Sequence, residues 1–184
     1  GNVAQTDGGG LLVITDHESF SISRCTFQYN EALSGGAMHF ALNNVGINIT
    51  DTIVANNFVK LFGAGLYFEE NIRAVNIIKT IFSENYAWGT GGAVYFGVNH
   101  RDVLFRYCTF EGNDSLMGGA AMQLANVDFL SIKYTDFVNN SAFYDEVGGV
   151  RISSSSFSAI ENCKFEFNIG FFSDCGGAIR LQYV

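Results

Sequence analysis

Short bursts of alternating apolar and polar residues run along this chain, and they recur at a fixed interval. Ile22, Ile49, Ile77, Phe105, Ile132 and Ile160 form one column, preceded at a distance of two by Phe20, Ile47, Val75, Val103, Leu130 and Ser158. A second column runs Cys25, Thr52, Thr80, Cys108, Thr135 and Cys163. Two residues after it come Phe27, Val54, Phe82, Phe110, Phe137 and Phe165. A third runs Leu11, Met38, Leu66, Val94, Met122, Val150 and Ile179, and it too has an apolar partner column two residues on. A spacing of two is the strand period, in which alternate side chains face one way. Each repeat of 27 to 28 residues is therefore expected to hold three short strands, with no helical periodicity competing.

One such repeat has too little apolar surface to bury alone, whereas stacked repeats share a continuous core. The expected fold is all-β: a right-handed, single-stranded parallel β-helix of about six and a half coils, one continuous segment over residues 1–184. With coils about 4.8 Å apart, the rod is on the order of 30 Å long.

Two motifs punctuate every repeat. Asn30, Asn57, Asn85, Asn113, Asn140 and Asn168 follow one another at intervals of 27, 28, 28, 27 and 28. Asparagine at a turn bonds local backbone, and stacked amides bond from coil to coil, so this column is expected to be a structural ladder. A glycine-rich step then supplies positive φ and close packing before the third strand.

Phe-x-x-Asn followed by Gly-Gly-Ala resembles the repeat of chlamydial polymorphic outer membrane proteins and of related bacterial and protist surface proteins. The first motif stands at Phe27/Asn30, Phe82/Asn85, Phe110/Asn113, Phe137/Asn140 and Phe165/Asn168. The second stands at Gly35-Gly36-Ala37, Gly91-Gly92-Ala93, Gly118-Gly119-Ala120 and Gly176-Gly177-Ala178. The departures are Val54 in place of Phe, Gly63-Ala64-Gly65 and Gly148-Gly149-Val150. The resemblance implies an extracellular β-helix with adhesive or structural use.

Composition narrows the partners. The formal charge is −8, from 10 basic and 18 acidic residues, with no basic block. That argues against nucleic acid and against an anionic membrane surface. A hydrophobic content of 48% excludes general disorder, and the absence of proline suits a chain of paired strands. No apolar run approaches the roughly 20 residues of a membrane span. Gly1 opens without a signal peptide, as a processed chain or a fragment would. Both ends fall inside a coil, so further coils or other protein chains are the expected partners there.

The residues with chemistry are dispersed. His17, His39 and His100 are expected in different columns, and acidic residues do not recur in register, so neither a metal nor another cofactor is expected. Asp7-Gly8-Gly9 is similar to calcium-binding repeats, but their nine-residue period is lacking. Polysaccharide cleavage needs paired carboxylates. The outward positions of the glycine-led strand, Leu12, His39, Tyr67, Tyr95, Gln123, Arg151 and Arg180, offer none. Glu69, Glu70 and Asp102 are the candidates for a cluster at one corner.

The stripe His39–Tyr67–Tyr95 is expected to stack on the outside, either as a stabilising ladder or as a platform for sugars or a protein. Tyr86, Trp88, Phe143, Tyr144, Phe171 and Phe172 put apolar surface in the loops after each ladder asparagine, covering one another or forming an exposed ridge. Cys25, Cys108 and Cys163 share an inward column with no two in adjacent coils, too far apart to bridge, and Cys175 is the cysteine best placed to pair. Among three sequons, Asn113 belongs to the ladder, leaving Asn48 as the best acceptor for an N-glycan and Asn139 as a second. The function expected is a non-enzymatic structural or adhesive segment of a secreted or cell-surface protein. A glycan-binding or polysaccharide-cleaving β-helix and a filament scaffold are the alternatives.

Overall fold

The computed structural model describes residues 1–144, 147–171 and 176–182, and no helix occurs among them. The chain winds into stacked coils whose strands align in four parallel sheets. The glycine-led sheet has seven strands, from Leu11–Thr15 through Met38–Leu42, Leu66–Glu70, Val94–Val98, Met122–Ala125 and Val150–Ser153 to Ile179–Gln182. The second sheet has six, including Val45–Thr50, Arg73–Ile78, His100–Arg106 and Val127–Lys133. The third also has six, among them Thr26–Gln28, Ile81–Ser83 and Thr109–Glu111.

A fourth sheet follows each ladder asparagine, built of two-residue strands such as Glu31–Ala32, Phe58–Val59 and Tyr86–Ala87. Each coil thus has four strands rather than the three expected. A strand of two residues contains no alternation, so period-two counting is blind to it.

The apolar columns meet inside the rod. Phe82, Phe110, Phe137 and Phe165 stack with centroids 4.6, 5.0 and 4.7 Å apart. Phe40, Phe68 and Phe96 form a second pile at 5.0 and 4.2 Å. Ile47, Ile49, Val75, Ile77, Val103 and Ile132 fill the side contributed by the second sheet. These neighbours repeat at the coil spacing, so the inner rings Phe68, Phe110 and Phe137 each contact an equivalent ring above and below in a stacked geometry.

The asparagine column is buried and saturated. The Oδ1 of Asn85 accepts both the backbone N–H of Asn57 (3.2 Å) and its Nδ2 (2.9 Å). The Nδ2 of Asn85 donates to Oδ1 of Asn113 (2.9 Å) and to the carbonyl of Val54 (2.9 Å). Asn57, Asn113 and Asn140 repeat this pattern with their own neighbours. Asn2 joins the ladder as well, since its N and Nδ2 both donate to Asn30. All four hydrogen-bonding capacities of each inner amide are used, as burial requires.

The turns place one left-handed residue at each corner. The residue before each ladder asparagine has positive φ, from Tyr29 (57°) through Glu84 (53°) to Phe167 (53°). The first residue of the glycine step does likewise at Gly35, Gly63, Gly91 and Gly118. Cys108 is buried, and burial pushes its thiol up to about 11. Cys25 is exposed instead of buried as its column suggested, because its coil has a stacked neighbour on one side only. Cys175 lies outside the described residues.

Asn85→Ala removes four hydrogen bonds and strands the Asn57 N–H in the core. The expected loss is on the order of 3–5 kcal/mol, checked by urea unfolding followed by circular dichroism. A change below about 1 kcal/mol would show that the ladder is passive.

Candidate interaction surfaces

Side chains that the repeat turns outward fall into three groups. The first is the stripe on the glycine-led sheet. His39 stacks on Tyr67 at 4.6 Å, and Tyr67 lies 5.6 Å from Tyr95. The stripe is not an open platform, as one of the two expectations had it. His39 is buried, Tyr67 and Tyr95 are half-buried, and Phe62 lies over both tyrosines at 5.7 and 4.8 Å.

The cause is the glycine step. A Cβ on Gly35 would lie 2.6 Å from Cβ of His39, and one on Gly91 would lie 2.8 Å from Cβ of Tyr95. The chain passes directly over the following strand's outward side chain, and only glycine permits so close a pass at positive φ.

Beneath this cover, His39 Nε2 is 3.0 Å from Glu69, and Nδ1 is 3.9 Å from Asp7. Burial outweighs both carboxylates and lowers the His39 pKa. Burial also raises the phenols of Tyr67 and Tyr95. Glu69 is engaged with His39 and Asp102 pairs with its neighbour Arg101 at 3.6 Å. Among the described residues no three His, Cys, Asp or Glu side chains gather as a metal site would require.

The second group follows the short-strand sheet. Tyr86 is half-buried against Phe58 at 5.8 Å, and Trp88 stands edge-on to Phe58 at 5.4 Å while remaining 50% exposed. Phe143 stacks on Phe171 at 5.2 Å, and both remain exposed, as does Tyr144. The loop aromatics therefore cover one another in part and still leave a ridge. Phe172 lies outside the described residues.

The third group was not anticipated from the sequence. Tyr107 and Tyr134 stack at 5.1 Å where the second sheet turns into the third, with Arg106 over Tyr107 at 4.7 Å. Phe129 and Phe157 stack at 5.0 Å at the start of the second sheet, with Arg101 over Phe129 at 4.6 Å. All four aromatics have positive φ. Their intervals of 27 and 28 match the repeat and would have revealed them, had the corners been aligned as the strands were.

The histidines correct a further expectation. His17, Asn44, Ile72, His100, Val127 and Ser155 occupy one corner column, so His17 and His100 do share a register position. Three different acceptors do the same work there. Asn44 Oδ1 accepts from the His17 N–H, His100 Nδ1 from the Ile72 N–H, and Ser155 Oγ from the Val127 N–H.

The sequons also separate. Asn48 is half-buried, its Nδ2 donating to the Gly46 carbonyl and its Oδ1 accepting from Asn76, whereas Asn139 is exposed at a corner. The geometry thus favours Asn139 over Asn48 as an acceptor, and Asn113 is consumed by the ladder.

Four parallel sheets wound around stacked phenylalanines and an asparagine ladder define a parallel β-solenoid. The chain belongs to the right-handed β-helix region family, which matches residues 9–182. Over 77 residues, 41% of the chain, it is 36% identical to metabotropic glutamate receptor-like protein R of Dictyostelium discoideum. The chain spans about 4% of that relative's length. No solved structure matches. Among the described residues no helix is long and apolar enough to cross a membrane.

Burial pushes His100 down to about 4 from the ordinary histidine value of 6.5. The unfolded chain therefore takes up the proton first, and stability falls as pH drops from 6.5 towards 4. The full effect is on the order of 3 kcal/mol. His100→Asn keeps an acceptor for Ile72, as Asn44 shows one coil away from that residue. Urea midpoints of this variant should match the parent at pH 7.5 and fall less steeply on acidification. An equally steep fall would assign the pH dependence elsewhere.

Proposed function

We propose that this chain is a non-enzymatic, structural and adhesive β-helix segment of a secreted or cell-surface protein, of the kind formed by polymorphic outer membrane protein repeats. One observation carries the reading. The buried ladder amides are committed to holding coil on coil, while the exposed side chains include many aromatics, among them Trp88, Phe143, Tyr144 and Phe171 beside the short-strand sheet. Rigid aromatic side chains of this kind are enriched in protein–protein contacts. The likeness of 77 residues to a receptor-like protein agrees with a cell-surface setting.

The phenylalanine and glycine motifs support the narrower family. Phe82, Phe110 and Phe137 with their asparagines occupy equivalent places in successive coils, and the glycine steps at 35 and 91 precede equivalent strands two coils apart. Of the three candidate carboxylates, Glu69 bonds His39 and Asp102 pairs with Arg101, which supports the non-enzymatic reading.

The reading is tested on cells displaying the full protein. Trp88→Ser, Phe143→Ser and Phe171→Ser together should lower adhesion to partner cells about tenfold. Circular dichroism should stay unchanged. Retained adhesion, or a protein that resists protease added outside intact cells because it lies inside, would overturn it.

A further inference from the structure

The ridge beside the short-strand sheet repeats with the coil. Pairing of Phe58, Tyr86, Asp114, Ser141 and Ile169 fixes its register. Two residues on, the same register aligns Lys60, Trp88, Leu116, Phe143 and Phe171. Three residues on, it aligns Leu61, Gly89, Met117 and Tyr144. Leu61, Trp88, Met117, Phe143, Tyr144 and Phe171 are 45% to 66% exposed, and they form an apolar strip that runs along the rod. At about 4.8 Å per coil the strip is about 20 Å long. Among the described residues these two columns hold a single charge, Lys60, at one end.

The strip has a centre. Leu116 is half-buried in the middle coil, with Trp88 one coil to one side and Phe143 one coil to the other. In the neighbouring column Met117 lies between Gly89 and Tyr144. We infer that this strip is the contact face between two copies of the chain, laid antiparallel about a twofold axis at Leu116 and Met117. Turning the second copy end for end brings Trp88 against the partner's Phe143, and Lys60 against the partner's Phe171, whose ring face attracts a cation. It also brings Tyr144, the most exposed side chain of the strip, over the partner's Gly89, which has no side chain to oppose it. A parallel pair would instead set Lys60 against Lys60 and Tyr144 against Tyr144, a like-charge repulsion and a collision of two rings. The contact is isologous, the commonest arrangement of like subunits.

Two quantities favour a second copy over another partner. The first is the rise. A second rod repeats at the same spacing of about 4.8 Å, so a contact made at one coil recurs at the next. A helix repeats at about 5.4 Å and same-face side chains of a lone strand at about 6.7 Å, and both fall out of step along the strip. The second is the area. A fully exposed aromatic offers about 150–250 Å², so six half-exposed side chains present on the order of 600 Å². A stable pair buries about 600–1,000 Å² per partner. The inference deepens the adhesive reading and rests on it for its setting: rods projecting from two opposed cells meet in this antiparallel sense, which makes the adhesion one of like to like.

Sedimentation of the purified chain and disulfide trapping test it. The parent should pass from 20.1 kDa to twice that mass as concentration rises, with a dissociation constant on the order of 10 µM. Trp88→Ser with Tyr144→Ser should weaken association at least about tenfold. Tyr107→Ser with Phe157→Ser, exposed aromatics elsewhere on the rod, should change nothing. Should the first pair disturb folding, trapping decides. Met117→Cys should link to itself across the twofold, whereas Leu61→Cys, about 19 Å from its counterpart along the rod, should not. Mass spectrometry of the linked peptides reads which cysteine has paired. A chain still monomeric at about ten times the expected constant, undiminished association of a folded Trp88 variant, a self-link at position 61 or none at 117 would overturn the inference. Displaying cells separate the two readings. Ridge-dependent adhesion to cells lacking the protein, with no dimer in solution, overturns the inference and leaves the adhesive reading standing. Adhesion confined to pairs of displaying cells supports both, and neither dimer nor adhesion removes both.

Discussion

Each coil of this rod is held to the next by a side-chain amide with no spare capacity. The inner asparagines accept two hydrogen bonds and donate two, across intervals of 27 or 28 residues. This fixes register more strictly than the apolar core can. A phenylalanine displaced by one residue finds another apolar contact, but a displaced asparagine leaves a buried amide and a buried N–H unpaired, at about 1–3 kcal/mol each. The phenylalanine piles, the glycine steps and the outer ladders all inherit their alignment from it.

Given that register, the corners can accept residues with no turn preference of their own. Tyr107 and Tyr134 are left-handed, yet their N–H groups donate to Lys133 and Glu161 of the next coil at 3.1 and 3.0 Å. Neighbouring coils on both sides over-determine the backbone, so strain that would be disfavoured in an isolated turn is held in place. The outcome is an outside whose chemistry is chosen almost independently of the fold.

That independence explains what could be read from the chain. The strand columns, the ladder and the glycine steps were legible because burial constrains them to few residue types. His39 and Tyr67 were placed in the right column, but their burial under Phe62 was not legible, since it depends on the path of a loop rather than on strand alternation. The shared corner of His17 and His100 was readable from intervals alone, yet Asn44, His100 and Ser155 look unrelated as letters and are equivalent only as acceptors. Phe129 and Phe157 escaped notice because no propensity places phenylalanine in a left-handed corner.

The ladder's bonds also have a direction. They run from coil to coil, along the rod rather than around it. A pull that separates the two ends of the chain loads these bonds one rung at a time, as in opening a zip, and not all together as in shearing a sheet. Once a rung and the strand pairs beside it give way, a coil of 27 or 28 residues is freed, which extends to roughly 90 Å. The rod therefore lengthens in nearly equal steps under tension, one coil at a time.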